Sequence, residues 1–215
     1  MEKCNYRKDP HQDIDHVFRD LLPAHGMVER PAQVELSHQM LDAMLNGSIA
    51  LCDAGTGIGK TYAYLVAGVV FRRYRSRAGL PNQPLLISTS SIALQGAIIH
   101  DYLPFLSKVM MADGMLDSPL RAVLRKGKSH YVCDARLMKR LQTANLDRKN
   151  PLAKAALLSM RDHLDLDMAP HLSGYDRERI CVPPTCDCGK TECRYLCYLD
   201  VCVSERYAIQ VCNHN

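Results

Sequence analysis

Asp53-Ala54-Gly55-Thr56-Gly57-Ile58-Gly59-Lys60-Thr61 is the stretch on which the fold of this chain turns. An apolar run, Ser48-Ile49-Ala50-Leu51-Cys52, precedes it and a helix-like segment, Tyr62 to Arg72, follows, so the order is strand, glycine-rich turn, helix. Three glycines within five residues let backbone N–H groups converge on an anion with no Cβ in the way. The following helix aims the positive end of its dipole at the same point. Lys60 is then placed to reach the β- and γ-phosphates of a nucleotide, and the Thr61 hydroxyl to sit on Mg²⁺. The pattern G-x-x-x-x-G-K-[ST] is met at Gly59, Lys60 and Thr61 but carries Ala54 in its first place.

Upstream, Glu29 to Gln33 opens a helix whose Leu36, Met40, Leu41, Met44 and Leu45 fall at helical spacing, with Pro31 in its first turn and Asn46-Gly47 as its stop. Residues 1 to about 28 are polar and mixed, with apolar pairs at Val17-Phe18 and Leu21-Leu22, and read as an N-terminal arm or lead-in helix. Downstream, the helix after the turn closes in Arg72-Arg73-Tyr74-Arg75-Ser76-Arg77, where cations favour the negative helix end and a solvated terminus is the plain reading. Leu85 to Thr89 reads as a buried parallel strand, and Ser90-Ser91 cap a helix from Ile92 to Leu106.

Strand and helix alternating through short connections predict an α/β fold with a parallel sheet covered on both faces. From about Met111 the pattern changes. Leu120 to Arg125 offers one more strand, but beyond Cys133 the chain becomes helical and polar (Asp134 to Thr143, Pro151 to His163) and then cysteine-rich. Tyr207 to Cys212 again reads as a buried strand, as though the chain returns to the sheet. The expected organisation is a nucleotide-binding lobe over 29–112, an insertion over 113–206, and a return strand in 207–215.

The chain has 215 residues, 47% hydrophobic and 23% charged, which argues against wholesale disorder. A net charge of +4 permits a nucleic-acid partner without demanding one. No run approaches 18 uncharged apolar residues, and the N-terminus lacks the apolar core of a signal peptide, so a cytoplasmic protein without a membrane partner is expected. Ten cysteines then argue for metal or redox chemistry rather than a disulfide framework. Cys133 stands alone, while Cys181, Cys186, Cys188, Cys193 and Cys197 follow with four, one, four and three residues between them. Soft thiolates so grouped suit an iron–sulfur cluster or zinc, and spacing alone leaves the two level. His130 and His163 read as solvated.

Together these pieces resemble the XPD/DinG family of superfamily 2 DNA helicases, in its bacterial DinG branch. Arg30-Pro31-Ala32-Gln33 looks like the family's adenine-reading element. Ala54-Gly55-Thr56-Gly57-Ile58-Gly59-Lys60-Thr61 matches its motif I, where alanine in the first place is usual. Ser88-Thr89-Ser90-Ser91-Ile92-Ala93-Leu94-Gln95 is similar to motif Ia, which holds phosphates of single-stranded DNA. A bare helix cap is what those serines suggest without the resemblance. Gly127 to Cys133 resembles the stretch carrying the first cluster cysteine, and Val211-Cys212-Asn213-His214 the V-x-N-H strand end.

The resemblance implies a RecA-like motor lobe with a mostly helical, cysteine-ligated insertion, ATP and Mg²⁺ as ligands, and single-stranded or forked DNA as partner. By position it carries ATP contacts onto Arg30, Gln33 and residues 54–61, with Mg²⁺ at Thr61, and DNA contacts onto Ser88, Thr89, Ser90 and Gln95. It implies a [4Fe-4S] cluster, with zinc as second choice, on Cys133, Cys181, Cys186 and Cys193, with Cys188 or Cys197 as substitutes. A monomer that moves 5′ to 3′ is the family-level expectation, and DNA repair its setting.

Hydrolysis also needs a carboxylate pair on Mg²⁺ and an arginine from a second lobe. No Asp-Glu-x-His sequence occurs in the 215 residues. The chain therefore reads as an N-terminal portion that binds nucleotide and DNA but turns over no ATP. A non-catalytic, metal-braced binding or regulatory module is the competing expectation, and a nuclease a remoter one.

Overall fold

The computed structural model describes residues 9–143, 151–186, 188–189, 193–204 and 206–213. They fall into two compact units, one of residues up to 124 together with 207–215, the other of residues 125–206.

The first unit opens with α1, Pro10–His16, capped by the Asp9 carboxylate on the His11 N–H. The chain continues through a π-helical turn, Val17–Leu21, into the short α2, Leu22–Ala24. Ile14, Val17, Phe18 and Leu22 are all buried in the main core, so this segment is part of the globule and not a detached arm. Asp13 anchors the helix further. Its carboxylate lies 3.0 Å from Arg77 and 3.4 Å from Arg73, so two cations of the basic run are spent on an internal ion pair. Arg75 donates to the Pro81 carbonyl at 2.9 Å and Arg72 to that of Gln83. The basic run is a brace for the following loop and for α1 rather than a solvated terminus.

Helix α3, Pro31–Asn46, has Pro31 at its start and ends on Gly47 in the left-handed region (φ 61°), the stop that Asn46-Gly47 signals. Helix α4, Lys60–Arg77, starts directly from Gly59 and runs five residues past the helix-like stretch that follows the loop. It is buried along Leu65 to Val70, as a helix packed on both sides must be. Gly68 lets it approach strand β1, Leu85–Ser88: a Cβ there would stand 2.3 Å from Leu85 Cδ2.

Helix α5, Ile92–Ala97, is capped by the Ser91 hydroxyl on the Leu94 N–H at 3.2 Å, and a second π-helical turn, Ile98–Tyr102, leads into α6, Leu103–Ala112. The sheet order is β1-β3-β2, with β2 at Ala122–Arg125 and β3 at Ile209–Cys212. β1 pairs in parallel with β3, Leu85 opposite Ile209 and Ser88 opposite Cys212. The last described strand is thus the central one, and Ile209 and Val211 are fully buried.

Two expectations are corrected. Ser48 to Cys52 forms no strand: it runs without ladder partners among the described residues, and Ile49 and Leu51 are 100% and 101% exposed. An apolar pentapeptide becomes a strand only when a neighbour accepts its hydrogen bonds. For the same reason β1 is an edge strand, with Leu86 61% exposed, and not a strand buried on both faces.

In the second unit, α7 (Asp134–Thr143), α8 (Pro151–Ser159) and α9 (Gly174–Ile180) enclose a small core around Leu137, Leu157, Met160 and Leu166. α10, Arg194–Val203, carries Tyr195 and Tyr198 against Tyr131, with ring centroids 5.2 Å apart in each pair.

Candidate nucleotide site and cysteine group

The glycine-rich turn takes its shape from two residues that only glycine suits well. Gly57 and Gly59 both have φ 86°, which costs an L-residue about 1–2 kcal/mol. That conformation turns the chain straight into α4, whose first N–H groups carry no side-chain cap and face the turn. Lys60 lies over the loop, its Nζ 2.8 Å from both the Ala54 and Gly55 carbonyl oxygens.

The loop is held from behind by α3. Arg30 donates to the Gly57 carbonyl at 2.8 Å, Gln33 Nε2 to that of Gly59 at 2.7 Å, and Ser37 Oγ to that of Ala63 at 3.0 Å. Arg30, Gln33 and Ser37 stand three and four residues apart on one helix face, a polar stripe inside an otherwise apolar contact between α3 and α4. Gln33 is 4% exposed and Ser37 fully buried. Gln33 therefore fixes the backbone of the phosphate turn, beyond the adenine-reading role the resemblance gives it. Ser37 was missed from sequence; its signal was the i, i+4 relation to Gln33. An open depression of 410 Å³ lies against the first turn of α3, with Pro31, Ala32, Glu35 and His38 in its wall.

In the strand-to-helix turn, Thr89 Oγ1 accepts from the Ser91 N–H at 3.2 Å, and Gln95 donates to the Thr89 carbonyl at 2.9 Å and to that of Cys212 at 3.5 Å. Gln95 is 4% exposed and links this turn to the end of β3. Ser88 and Ser90 are exposed.

The cysteines of the second unit divide. Segments 131–133 and 180–182 are stitched together by Val182 N–H to Tyr131 at 2.8 Å and Cys133 N–H to Ile180 at 2.7 Å. Cys133 immediately precedes α7, and Cys193 caps the start of α10. Arg194 chelates the Asp134 carboxylate from its Nε, at 2.9 and 3.0 Å, and from its Nη2, drawing the residues next to the two cysteines together. The Cys188 thiol is pushed up to about 11, chiefly by its hydrogen bond to Cys186. Cys181 turns aside: its thiol donates to the Glu178 carbonyl at 3.3 Å and sits 4.0 Å from Arg136. Cys202 is buried beside Tyr198, where desolvation pushes its thiol up. Among the described residues, no group of three or more His, Cys, Asp or Glu is arranged to hold a metal ion.

Ion pairs brace this unit. Lys126 lies 2.6 Å from Asp165 and 2.7 Å from Asp167, and Asp167 also receives Arg177 at 2.7 Å and His130 at 3.3 Å. Partial burial opposes ionisation of Asp167, but the bonds from Lys126 and Arg177 outweigh it and hold the carboxyl below the usual range. His130 is thus a hydrogen-bond partner of Asp167 and not a merely solvated histidine.

The fold and these contacts define an α/β protein whose glycine-rich turn is locked to a neighbouring helix by three side chains. Comparison with known proteins gives the family. A Bacillus subtilis protein named 3'-5' exonuclease DinG is 31% identical over 144 residues, which cover 67% of this chain and 14% of that protein. The ATP-dependent DNA helicase YoaA of Haemophilus influenzae is 31% identical over 129 residues, 60% of this chain and 18% of its own length. The ATP-dependent DNA helicase DinG of Photobacterium profundum is 35% identical over 85 residues, 40% of this chain and 10% of its own. No family model matches the chain. The chain belongs to the DinG/YoaA branch of the XPD/DinG helicase family, and its matched part spans less than a fifth of the length of each of these relatives.

Proposed function

We propose that this chain is the ATP-binding portion of an ATP-dependent DNA helicase: a RecA-like lobe interrupted by a cysteine-ligated insertion. The observation that carries the reading is the phosphate turn itself, with Gly57 and Gly59 left-handed, Lys60 at the helix start, and Arg30 and Gln33 gripping its carbonyls. ATP would lie on residues 54–61, with its γ-phosphate drawing the Lys60 ammonium away from the Ala54 and Gly55 carbonyls and Mg²⁺ on Thr61. Ser88 and Ser90 are the exposed hydroxyls suited to a DNA phosphate, while Thr89 and Gln95 set the shape of the turn that presents them.

Cys133, Cys181, Cys186 and Cys193, with Cys188 or Cys197 as substitutes, carry the soft thiolates that suit a [4Fe-4S] cluster, with zinc the second choice. When bound, such a cluster would cross-link the starts of α7 and α10. Anaerobically purified protein absorbing near 400 nm with iron and sulfide at about 4:4 supports this, with Cys133→Ser and Cys193→Ser each losing the cluster. Colourless protein holding tight zinc would sink it.

In the complete protein, unwinding of a 5′-tailed duplex coupled to ATP hydrolysis is expected, carried out by a monomer. Hydrolysis needs Mg²⁺-binding carboxylates and a second lobe, and the 215-residue chain by itself is expected to turn over no ATP. Loss of unwinding in Lys60→Ala tests the assignment; unwinding at the unaltered rate would overturn it. Should the gene encode no acidic Mg²⁺ box, the non-catalytic binding module becomes the better reading.

A further inference from the structure

Tyr64 stands in the first turns of α4, its ring packed against the main core and its hydroxyl oxygen buried with no hydrogen-bond partner among the described residues. A group left so costs stability and calls for a reason. Burial pushes its pKa up and keeps it a neutral phenol, while the Thr61 hydroxyl draws the pKa back; yet the two hydroxyls do not meet in hydrogen-bond geometry. Thr61 precedes Tyr64 by three residues, so the two share a helix face with Cβ atoms about 5–6 Å apart. Helical side chains lean toward the N-terminus, which carries the phenol back over Thr61 and toward the phosphate turn. Tyr62, on another face, spends its ring on edge contacts with Tyr102 and Phe105, with centroids 5.2 and 6.2 Å away.

What Thr61 needs is an acceptor. A hydroxyl that coordinates Mg²⁺ gives the metal a lone pair and must point its hydrogen elsewhere. The carbonyl a helical threonine commonly uses, four residues back at Gly57, already receives Arg30 at 2.8 Å, and that of Gly59 receives Gln33 at 2.7 Å. The buried oxygen of Tyr64 is open to accept. We propose that Tyr64 is a positioning residue for the nucleotide site: its hydroxyl accepts the Thr61 O–H and so holds the Thr61 oxygen with its lone pairs toward Mg²⁺. This rests on the reading of residues 54–61 as the Mg-ATP site. The phenol touches neither nucleotide nor metal and acts through Thr61 alone. The same hydroxyl therefore lowers the stability of the chain by itself and raises its affinity for the metal.

Tyr64→Phe keeps the ring and removes the oxygen. The ATP dissociation constant, measured by calorimetric titration in excess Mg²⁺ and again in EDTA, gives the metal's contribution as a ratio. In Tyr64→Phe that ratio should fall about tenfold with the EDTA value unchanged. Its Tm in nucleotide-free buffer should rise by about 2–4 °C, because an unpaired buried hydroxyl is gone. Tyr62→Phe should leave the ratio alone, and Tyr64→Phe should change nothing further in a Thr61→Ala background. A lower Tm in Tyr64→Phe, or an unaltered ratio, would overturn the proposal and leave the nucleotide site standing. Wild-type chain that binds ATP no better with Mg²⁺ than without it would overturn the site and this role together.

Discussion

Placing a methyl group on Gly59 tests the account of the phosphate turn at its tightest point. In Gly59→Ala the residue keeps φ near +86°, at a cost of about 1–2 kcal/mol. The added Cβ would also stand 2.1 Å from Gln33 Nε2. The amide must move, and a buried carboxamide that loses its 2.7 Å bond to the Gly59 carbonyl costs a further 1–3 kcal/mol or so. Even the low end, about 2 kcal/mol, weakens nucleotide binding about 30-fold if the loss falls on the binding-competent loop. Calorimetric titration of Mg-ATP onto wild type, Gly59→Ala, Gln33→Ala and the double variant measures it. Because Gln33→Ala removes the collision, the double variant should lose less than the sum of the singles, by at least about 1 kcal/mol. Additivity within about 0.5 kcal/mol, or wild-type affinity in Gly59→Ala, would refute the contact.

Three more outcomes follow from particular contacts. Gly68→Ala should destabilise by up to about 2 kcal/mol in chemical denaturation, since overpacking against Leu85 at about 1–3 kcal/mol offsets a gain in helix propensity of about 1 kcal/mol. Asp13→Ala should cost about 3 kcal/mol, because Arg73 and Arg77 are left half-buried without their carboxylate. Asp167 is held below the ordinary carboxylate range, so its contribution is complete above about pH 4 and is lost as pH falls through its lowered folded value. Asp167→Asn should flatten the acid end of the stability curve of residues 125–206 and leave pH 6–8 unchanged in slope.

What could be read from the residues was what local chemistry decides. Asn46-Gly47 announces the end of α3 because a left-handed terminus wants glycine, and Gly57 and Gly59 announce the turn for the same reason. Ile209 to Cys212 is recognisable as a strand because it is buried in the centre of the sheet. Ser48 to Cys52 misled because apolar content does not reveal whether a pairing neighbour exists. The basic run misled in the opposite direction: its partners, Asp13 and the carbonyls of Pro81 and Gln83, come from other segments. The resemblance puts Cys181 in the ligand set; in the fold its backbone pairs with Val132 and its thiol donates to the Glu178 carbonyl.

The measurement that bears most directly on the central claim is the binding of Mg-ATP to the purified 215-residue chain and to its Lys60→Ala variant, with product release followed in the same samples. The account predicts saturable one-site binding by the wild type, its loss in the variant, and no turnover in either. Equal binding by both proteins, or hydrolysis that Lys60→Ala abolishes, would contradict it.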